Sequence, residues 1–391
     1  MIALVEKQSC TGCGACASRC PHSCITMQEN EQGVVLPMID ASKCVECHAC
    51  EKVCPVLAPP SPYEPQKAYA AWSNDAEERR TSASGGVAIE LYKFALEHGY
   101  KVIGASQNKD FSVTHKVAST REELAPFKNS KYVFSDAYEV YPQIKRLLKE
   151  GERVLFIGLP CQVAAFRKLF RDHERLLLIE VVCHGTTPLS YLRQHIQMLE
   201  RQAGKKAARM SFRDPDTYTY TYTFTLYTET GERFYAKRTK DGDTYQYGYH
   251  RSISYRENCY HCPFAKRQRV ADITLSDYNG LGKLAPCDYS QQKVSSILVH
   301  SEKGKAFINK MLATERLHAD ERPVEEPIQG DPRLRASTPK SKARLDFERR
   351  MPLCGNDFEQ AMQEVMIRDR RRQKMKAWLM PFKLIKKLFK K

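Results

Sequence analysis

Twice near its start the chain reads C-x2-C-x2-C-x3-C-P, at residues 10–21 ("CTGCGACASRCP") and 44–55 ("CVECHACEKVCP"). Few arrangements use cysteine so densely. Disulfides, zinc and iron–sulfur clusters are the candidates, and this spacing is the one that wraps a cubane [4Fe–4S] cluster. Three closely spaced cysteines turn their sulfurs toward three irons of one cube, and the fourth, just before proline, faces the partner cluster. Cys10, Cys13, Cys16 and Cys54 are therefore expected to hold one cluster, and Cys44, Cys47, Cys50 and Cys20 a second. Zinc sites more often use two pairs of ligands separated by a longer loop. The segment between the motifs, "CITMQENEQGVVLPMID", reads as a short hairpin turning near Gly33.

The remainder of the 391 residues suffices for further domains with cores of their own. No apolar run approaches bilayer length, and "MIALVEKQSC" lacks a signal-peptide layout, so a reducing cytoplasmic setting is expected. There, fifteen cysteines favour metal or redox work over disulfides. Of the net charge of +16, residues 368–391 contribute +10, eleven Lys and Arg against Asp369, leaving about +6 (16 minus 10) elsewhere. That distribution argues against nucleic acid as a partner bound on a broad basic face. The tail "KMKAWLMPFKLIKKLFKK" spaces Met375, Trp378, Leu379, Phe382, Ile385, Leu388 and Phe389 by three and four, with lysines between. It reads as a basic amphipathic helix, suited to peripheral contact with the inner face of a membrane or to docking on protein.

Composition shifts set off a cluster-binding domain (1–60), a proline-rich linker (61–67), an α/β part (68–320) and a charged tail (321–391). Strands are expected at 67–72, 100–106, 153–158 and 176–183, and a helix at 86–99. "TYTYTYTFTLYT" (217–228) alternates strictly and predicts a half-buried hairpin strand with its rings on one packed face.

Five stretches in the second part carry candidate chemistry. "TSASGG" (81–86) precedes a helix, where glycines let backbone N–H groups approach a phosphate, although Ser and Thr there also serve as ordinary N-caps. "NSKYVFSD" (129–136) offers Lys131 and Tyr132, or simply a surface turn. "FIGLPCQ" (156–162) and "VVCHG" (181–185) end strands with Gly158, Cys161, Cys183 and His184, and Cys259 and Cys262 form a C-x2-C pair. If the two strands are parallel neighbours, Cys161 and Cys183 meet at one sheet edge, and the pair can close over it. Cys161, Cys183, Cys259 and Cys262 are thus a candidate third [4Fe–4S] site, with zinc or independent core thiols as alternatives. Cys24, Cys287 and Cys354 have no such context.

In this order, the double cysteine motif, "SASGG", "NSKYV", "GLPCQ", "CHG" and "CYHCPF…ADITLSD" resemble the coenzyme F420 hydrogenase/dehydrogenase beta-subunit family over roughly residues 1–315. The resemblance implies a bacterial-type 2[4Fe–4S] ferredoxin domain of α+β type, then an α/β flavin-binding domain, divided into an N-terminal flavin-binding region (68–150) and a C-terminal region (151–320), with a β-hairpin insertion and a basic C-terminal helix. It also implies bound FAD, with Ser82, Ser84, Gly85 and Gly86 by its phosphates and Lys131, Tyr132 and Gly158 lining the same cleft. Leu159, where the family often has threonine, and "SDYNG", in place of Gly-Asp and aromatics, depart from the pattern. The expected function is an oxidoreductase that passes electrons between clusters and an organic substrate or deazaflavin coenzyme through FAD, with a redox protein or small molecule as partner. The alternative is a non-enzymatic electron-carrier or adaptor subunit. His184 is the candidate catalytic residue, and Lys266, Arg267 and Arg269 are candidate contacts for an anionic substrate.

Overall fold

The computed structural model describes residues 4–388, with side chains through residue 375. Its first unit repeats one device. α1 (Ala15–Arg19) and α2 (Ala49–Val53) are single turns, each entered through a left-handed residue, Gly14 and His48, and each left through an extended cysteine, Cys20 and Cys54. The proline after each cysteine disfavours helical backbone at the residue before it, and so turns that thiol away from its own motif. Between the two turns, β1 (Ile25–Glu29) pairs antiparallel with β2 (Val35–Ile39) around Gly33, whose φ is 74°, so the expected hairpin is present.

The second unit is built on a nine-stranded mixed sheet. Its strands run β3 (Lys67–Ser73), β4 (Tyr100–Gln107), β5 (Val113–Ala118), β6 (Ser135–Asp136), β7 (Arg153–Gly158) and β8 (Leu176–Val181). The chain then makes a separate small sheet of β9 (Arg209–Ser211), β10 (Thr223–Tyr227) and β11 (Arg233–Arg238). It returns as β12 (Ile273–Asp277), β13 (Ser295–Val299) and β14 (Leu317–Arg322). The order is β14-β3-β13-β12-β8-β7-β4-β5-β6, with β4, β7, β8 and β12 parallel at the centre. Val154, Phe156, Leu176 and Leu178 point to one hydrophobic layer and Leu155, Ile157, Leu177 and Ile179 to the other. That period-two split explains why these strands read as continuous apolar runs.

Helices cover both faces. α3 (Ala76–Thr81) and α4 (Val87–Glu97) lead from β3 to β4; α5 (Val140–Lys149) and α6 (Pro160–Phe170) flank β7; α7 (Leu189–Ala203) and α8 (Thr244–His250) bracket the small sheet. α9 (Glu302–Leu312) joins β13 to β14. Ala15 of α1 and Val53 of α2 join the layer formed by α5 and α6, and Tyr141 donates a hydrogen bond to the Cys13 carbonyl at 2.7 Å. The cluster-binding unit is therefore packed onto the sheet domain. The linker is pinned as well, Tyr63 bridging to the backbone of Arg269.

Two expectations change. The stretch 217–228 is a strand only from Thr223. Tyr218 and Tyr222 adopt positive φ (70° and 50°), and short 3-10 turns occupy Pro215–Thr217 and Thr219–Thr221. β10 is buried on both faces, not half-buried, because it lies between β9 and β11 under the C-terminal helices. The region expected to be a charged tail is also packed. It completes the edge strand β14 with Glu321 and Arg322, then forms α10 (Glu325–Gly330), α11 (Lys342–Leu353) and α12 (Phe358–Leu388). Phe347, Phe358, Ala361, Met362 and Val365, spaced at three and four among charges, enter the core around Phe224 and Tyr245. The amphipathic face expected beyond Met375 falls on side chains outside the described residues. Among the described residues no helix is long and apolar enough to cross a membrane.

Candidate functional site

The paired motifs exchange their fourth cysteines. The Cys10, Cys13, Cys16 and Cys54 thiols gather in one group. Burial pushes Cys13 up to about 11 and Cys16 higher, and the charges of Cys10 and Cys54 push both further in the same direction. Cys20, Cys44, Cys47 and Cys50 line a second, separate cavity. Cys24, which no motif marks, lines this cavity too, with its sulfur 3.2 Å from that of Cys20. Cys47 is exposed, so the second cavity lies at the surface.

A third group forms where the sheet ends. Cys161 sits in the first turn of α6 and Cys183 two residues beyond β8, slightly past the strand ends expected for them. Because β7 and β8 are parallel neighbours, both residues emerge at the same edge. Cys259 and Cys262 reach it from the 3-10 turn Glu257–His261. Gly185, φ 141°, lets the chain pass against Tyr255, where a Cβ would stand 2.3 Å from the ring. The four cysteines line one cavity with Thr11, Gly12 and Cys13. Burial raises the Cys161 thiol most, and the charges of Cys262, Cys183, Cys259 and Cys13 add to it, so this group adjoins the first. Four thiols gathered at one cavity are a donor set of the kind that a metal or cluster takes up as thiolates.

Beside this cavity lies a cleft of about 510 Å3, within the range of cofactor pockets. The two share Leu159, Cys183 and Gly185 among their walls. The cleft lies at the carboxyl ends of β7, β8 and β12, the usual ligand position in open α/β sheets. At one wall α4 begins at Gly86, φ 84°, with no side chain capping its N–H groups, so the ordinary N-cap alternative is not what this sequence forms. Ser82 and Ser84 line the cleft beside it; Gly85 does not, its N–H being directed to Ser295 Oγ at 3.0 Å. Lys131 is half-buried at its surface, donates to the carbonyls of Lys128 (2.9 Å) and Asn129 (3.3 Å), and is lowered to about 7 by burial. Tyr132 and Gly158 also line the cleft.

Other lining residues had no sequence signal. Arg213 donates to Tyr132 Oη (2.6 Å), the Ala83 carbonyl (2.5 Å) and Asp277 (3.1 Å). The Tyr132 ring stacks on Tyr249 at 4.3 Å, and His250, pushed down to about 3 by burial, stands edge-on to Tyr222. His115 and Asn129 bring polar atoms, Nε2 and Oδ1, that are buried without a partner. Uncapped N–H groups, a half-buried lysine, a flat aromatic wall and orphaned polar atoms fit a large anionic cofactor with a planar ring. His184 borders the cleft, half-exposed, with Nε2 3.9 Å from Asp331. The basic run lies elsewhere: Arg269 is buried against Glu180, Arg267 pairs with Glu64 and Glu325, and Lys266 is outside the cleft wall.

Comparisons with known proteins bear on the family and on the iron–sulfur unit. The model for the coenzyme F420 hydrogenase/dehydrogenase beta subunit N-term matches residues 68–141, that for its C terminus 151–324, and a 4Fe-4S dicluster domain 9–58. The coenzyme F420-dependent sulfite reductase of Methanocaldococcus jannaschii is 29% identical over 175 residues, 42% of this chain. The chain spans only 26% of that protein's length. The coenzyme F420 hydrogenase subunit beta of Methanococcus voltae is 25% identical over 257 residues, covering 63% of this chain and 80% of that one. A chain of the F420-reducing [NiFe] hydrogenase complex from Methanosarcina barkeri superposes with a TM-score of 0.44 at 19% identity, covering 80% of this chain and 94% of that one.

Proposed function

The chain belongs to the coenzyme F420 hydrogenase/dehydrogenase beta-subunit family, and from that premise we propose that it is an iron–sulfur flavoprotein oxidoreductase acting on an organic substrate or a deazaflavin-type coenzyme. Bound here, [4Fe–4S] clusters would supply one-electron transfer, and FAD the junction between one-electron and two-electron chemistry.

The chain's own residues divide this work. Cys20, Cys44, Cys47 and Cys50 would hold the outermost cluster, Cys10, Cys13, Cys16 and Cys54 the next, and Cys161, Cys183, Cys259 and Cys262 the third. Gly86 and Ser84 would receive the FAD phosphates at the uncapped start of α4, where the helix dipole favours negative charge. Lys131 would stand by the anionic parts of the cofactor, and Tyr132, fixed by Arg213 and Tyr249, would present a flat wall to its ring. Leu159 lines both the third cysteine group's cavity and the cleft, and Pro160 lines the former.

The observation that carries this reading is the continuity of the sites. The third cysteine group touches Cys13 of the first on one side and shares Cys183 with the cleft on the other. An adaptor that only docks would have no need of a cleft joined to its innermost cysteines. The test is anaerobic mixing of the purified protein with reduced deazaflavin coenzyme, followed at the flavin and cluster absorption bands. Bleaching of both supports the proposal; no bleaching with this or other two-electron donors, in protein that carries clusters, returns the reading to an electron-carrier subunit.

A further inference from the structure

Between the first and third cysteine groups stands a side chain with an unusual account. Arg256 is 3% exposed and lines the cavity of Cys161, Cys183, Cys259 and Cys262. Its backbone N–H is fixed to the Thr186 carbonyl, and its Nη1 donates across the domain boundary to the Thr11 carbonyl at 2.9 Å. The guanidinium lies 4.3 Å over the Phe134 ring. Nε and Nη2 are buried with no acceptor among the described residues. The neighbouring Glu257 is engaged by Lys340 and Arg344 instead. Gly12, in the first cluster motif, comes so close that a Cβ there would meet Nη2 at 2.8 Å. The positive charge also reaches Cys10, countering part of what burial does to that thiol.

A guanidinium buried with two orphaned donors and no counter-ion is strongly unfavourable unless an anion accompanies it. A hydrophobic residue would fill the same space without that cost. The anions that would flank it are the clusters themselves: a cubane held by four thiolates is a net anion in both redox states, and reduction adds one further negative charge. Cluster potential depends on net charge and on hydrogen bonds to the sulfurs.

We propose that Arg256 is the shared counter-charge of the cluster at Cys10, Cys13, Cys16 and Cys54 and the one at Cys161, Cys183, Cys259 and Cys262, and that its free N–H groups donate to their sulfur atoms. It is a positioning residue for electron transfer. By offsetting the charge added on reduction, it raises the midpoints of both clusters, so an electron passing between the ferredoxin unit and the sheet domain meets the same compensating cation on either side. The inference rests on the cluster assignment proposed above.

The test is a reductive titration of the intact, cluster-loaded protein followed by electron paramagnetic resonance, comparing the native chain with Arg256→Gln and Arg256→Lys. The expected result for Arg256→Gln is at least a tenfold fall in the reduced-to-oxidised ratio of the Cys10 cluster at fixed potential, a shift of about 59 mV for one electron. Arg256→Lys, which keeps the charge but not the fork, should shift less and in the same direction. Midpoints unchanged in both variants, with only a lower melting temperature, would make Arg256 a structural latch and overturn the proposal. Should Arg256→Gln fail to assemble, hyperfine spectroscopy of native protein carrying isotopically labelled arginine decides: coupling of a guanidinium nitrogen to a reduced cluster is expected, and its absence refutes the contact. An iron content lacking the third cluster would defeat the cluster assignment separately, since the shift at the Cys10 cluster is still measurable.

Discussion

His195→Leu should be among the most damaging substitutions outside the cysteines. His195 is 1% exposed on α7, with Nδ1 2.7 Å from Glu359 of α12 and Nε2 3.1 Å from Asp243 at the start of α8. Burial alone would lower its pKa, but the two carboxylates override that and hold it up at about 10. The ring is therefore a buried cation joining three helices, and α8 carries Tyr249 and His250 into the cleft. Leucine fills a similar volume yet leaves two carboxylates uncompensated, a loss of about 3–5 kcal/mol. At about 2–4 °C per kcal/mol for a domain of this size, the melting temperature should fall by roughly 6–20 °C. The pH dependence has a definite sign. An unfolded histidine titrates near about 6.5, so the stabilisation is complete below that pH and is lost as pH rises through the folded value of about 10. Thermal melts from pH 6 to 10 should show native protein losing more stability over this window than His195→Gln. Equal slopes, or a His195→Leu melting temperature within a degree or two of native, would refute the buried-cation account.

Cys54→Ala should perturb the cluster held with Cys10, Cys13 and Cys16 more than the one held with Cys44; spectra showing only the latter affected would contradict the exchange of fourth cysteines. Gly86→Val forces a β-branched residue to φ 84°, with its Cβ 3.2 Å from that of Ser73. It should cost about 1–2 kcal/mol in stability and lower the flavin retained on purification; unchanged flavin in a folded variant would make this turn a simple helix entry. Cys259→Ala should lower iron by about four atoms per chain, and full iron retention would remove this residue from the third site.

What could be read from the residues follows the range of the physics involved. The two cysteine motifs are local: their spacing and their prolines alone dictate which thiol turns outward, and the structure follows. The parallel centre of the sheet was legible because strands buried on both faces become unbroken apolar runs. The glycines before α4 were legible as a helix start, though not that Gly85 turns inward to Ser295. Arg213 belongs to one segment and Tyr249 and His250 to another, which meet only through packing of the small sheet and α8, and no local pattern marks them. The tyrosine–threonine repeat misled because alternation predicts a strand unless the backbone departs from extended geometry, as it does at Tyr218 and Tyr222. Arg269 looked available to a ligand only while Glu180, 89 positions away in sequence, was not seen beside it.

Iron, sulfide and flavin analysis of anaerobically purified protein tests the central claim most directly. Three cysteine groups in line with one cleft predict about twelve iron and twelve sulfide per chain, as for three cubane clusters, together with about one FAD. Saturation at about eight iron, with no flavin retained or taken up, would mean that the third cysteine group and the cleft beside it serve neither role, and would contradict the account.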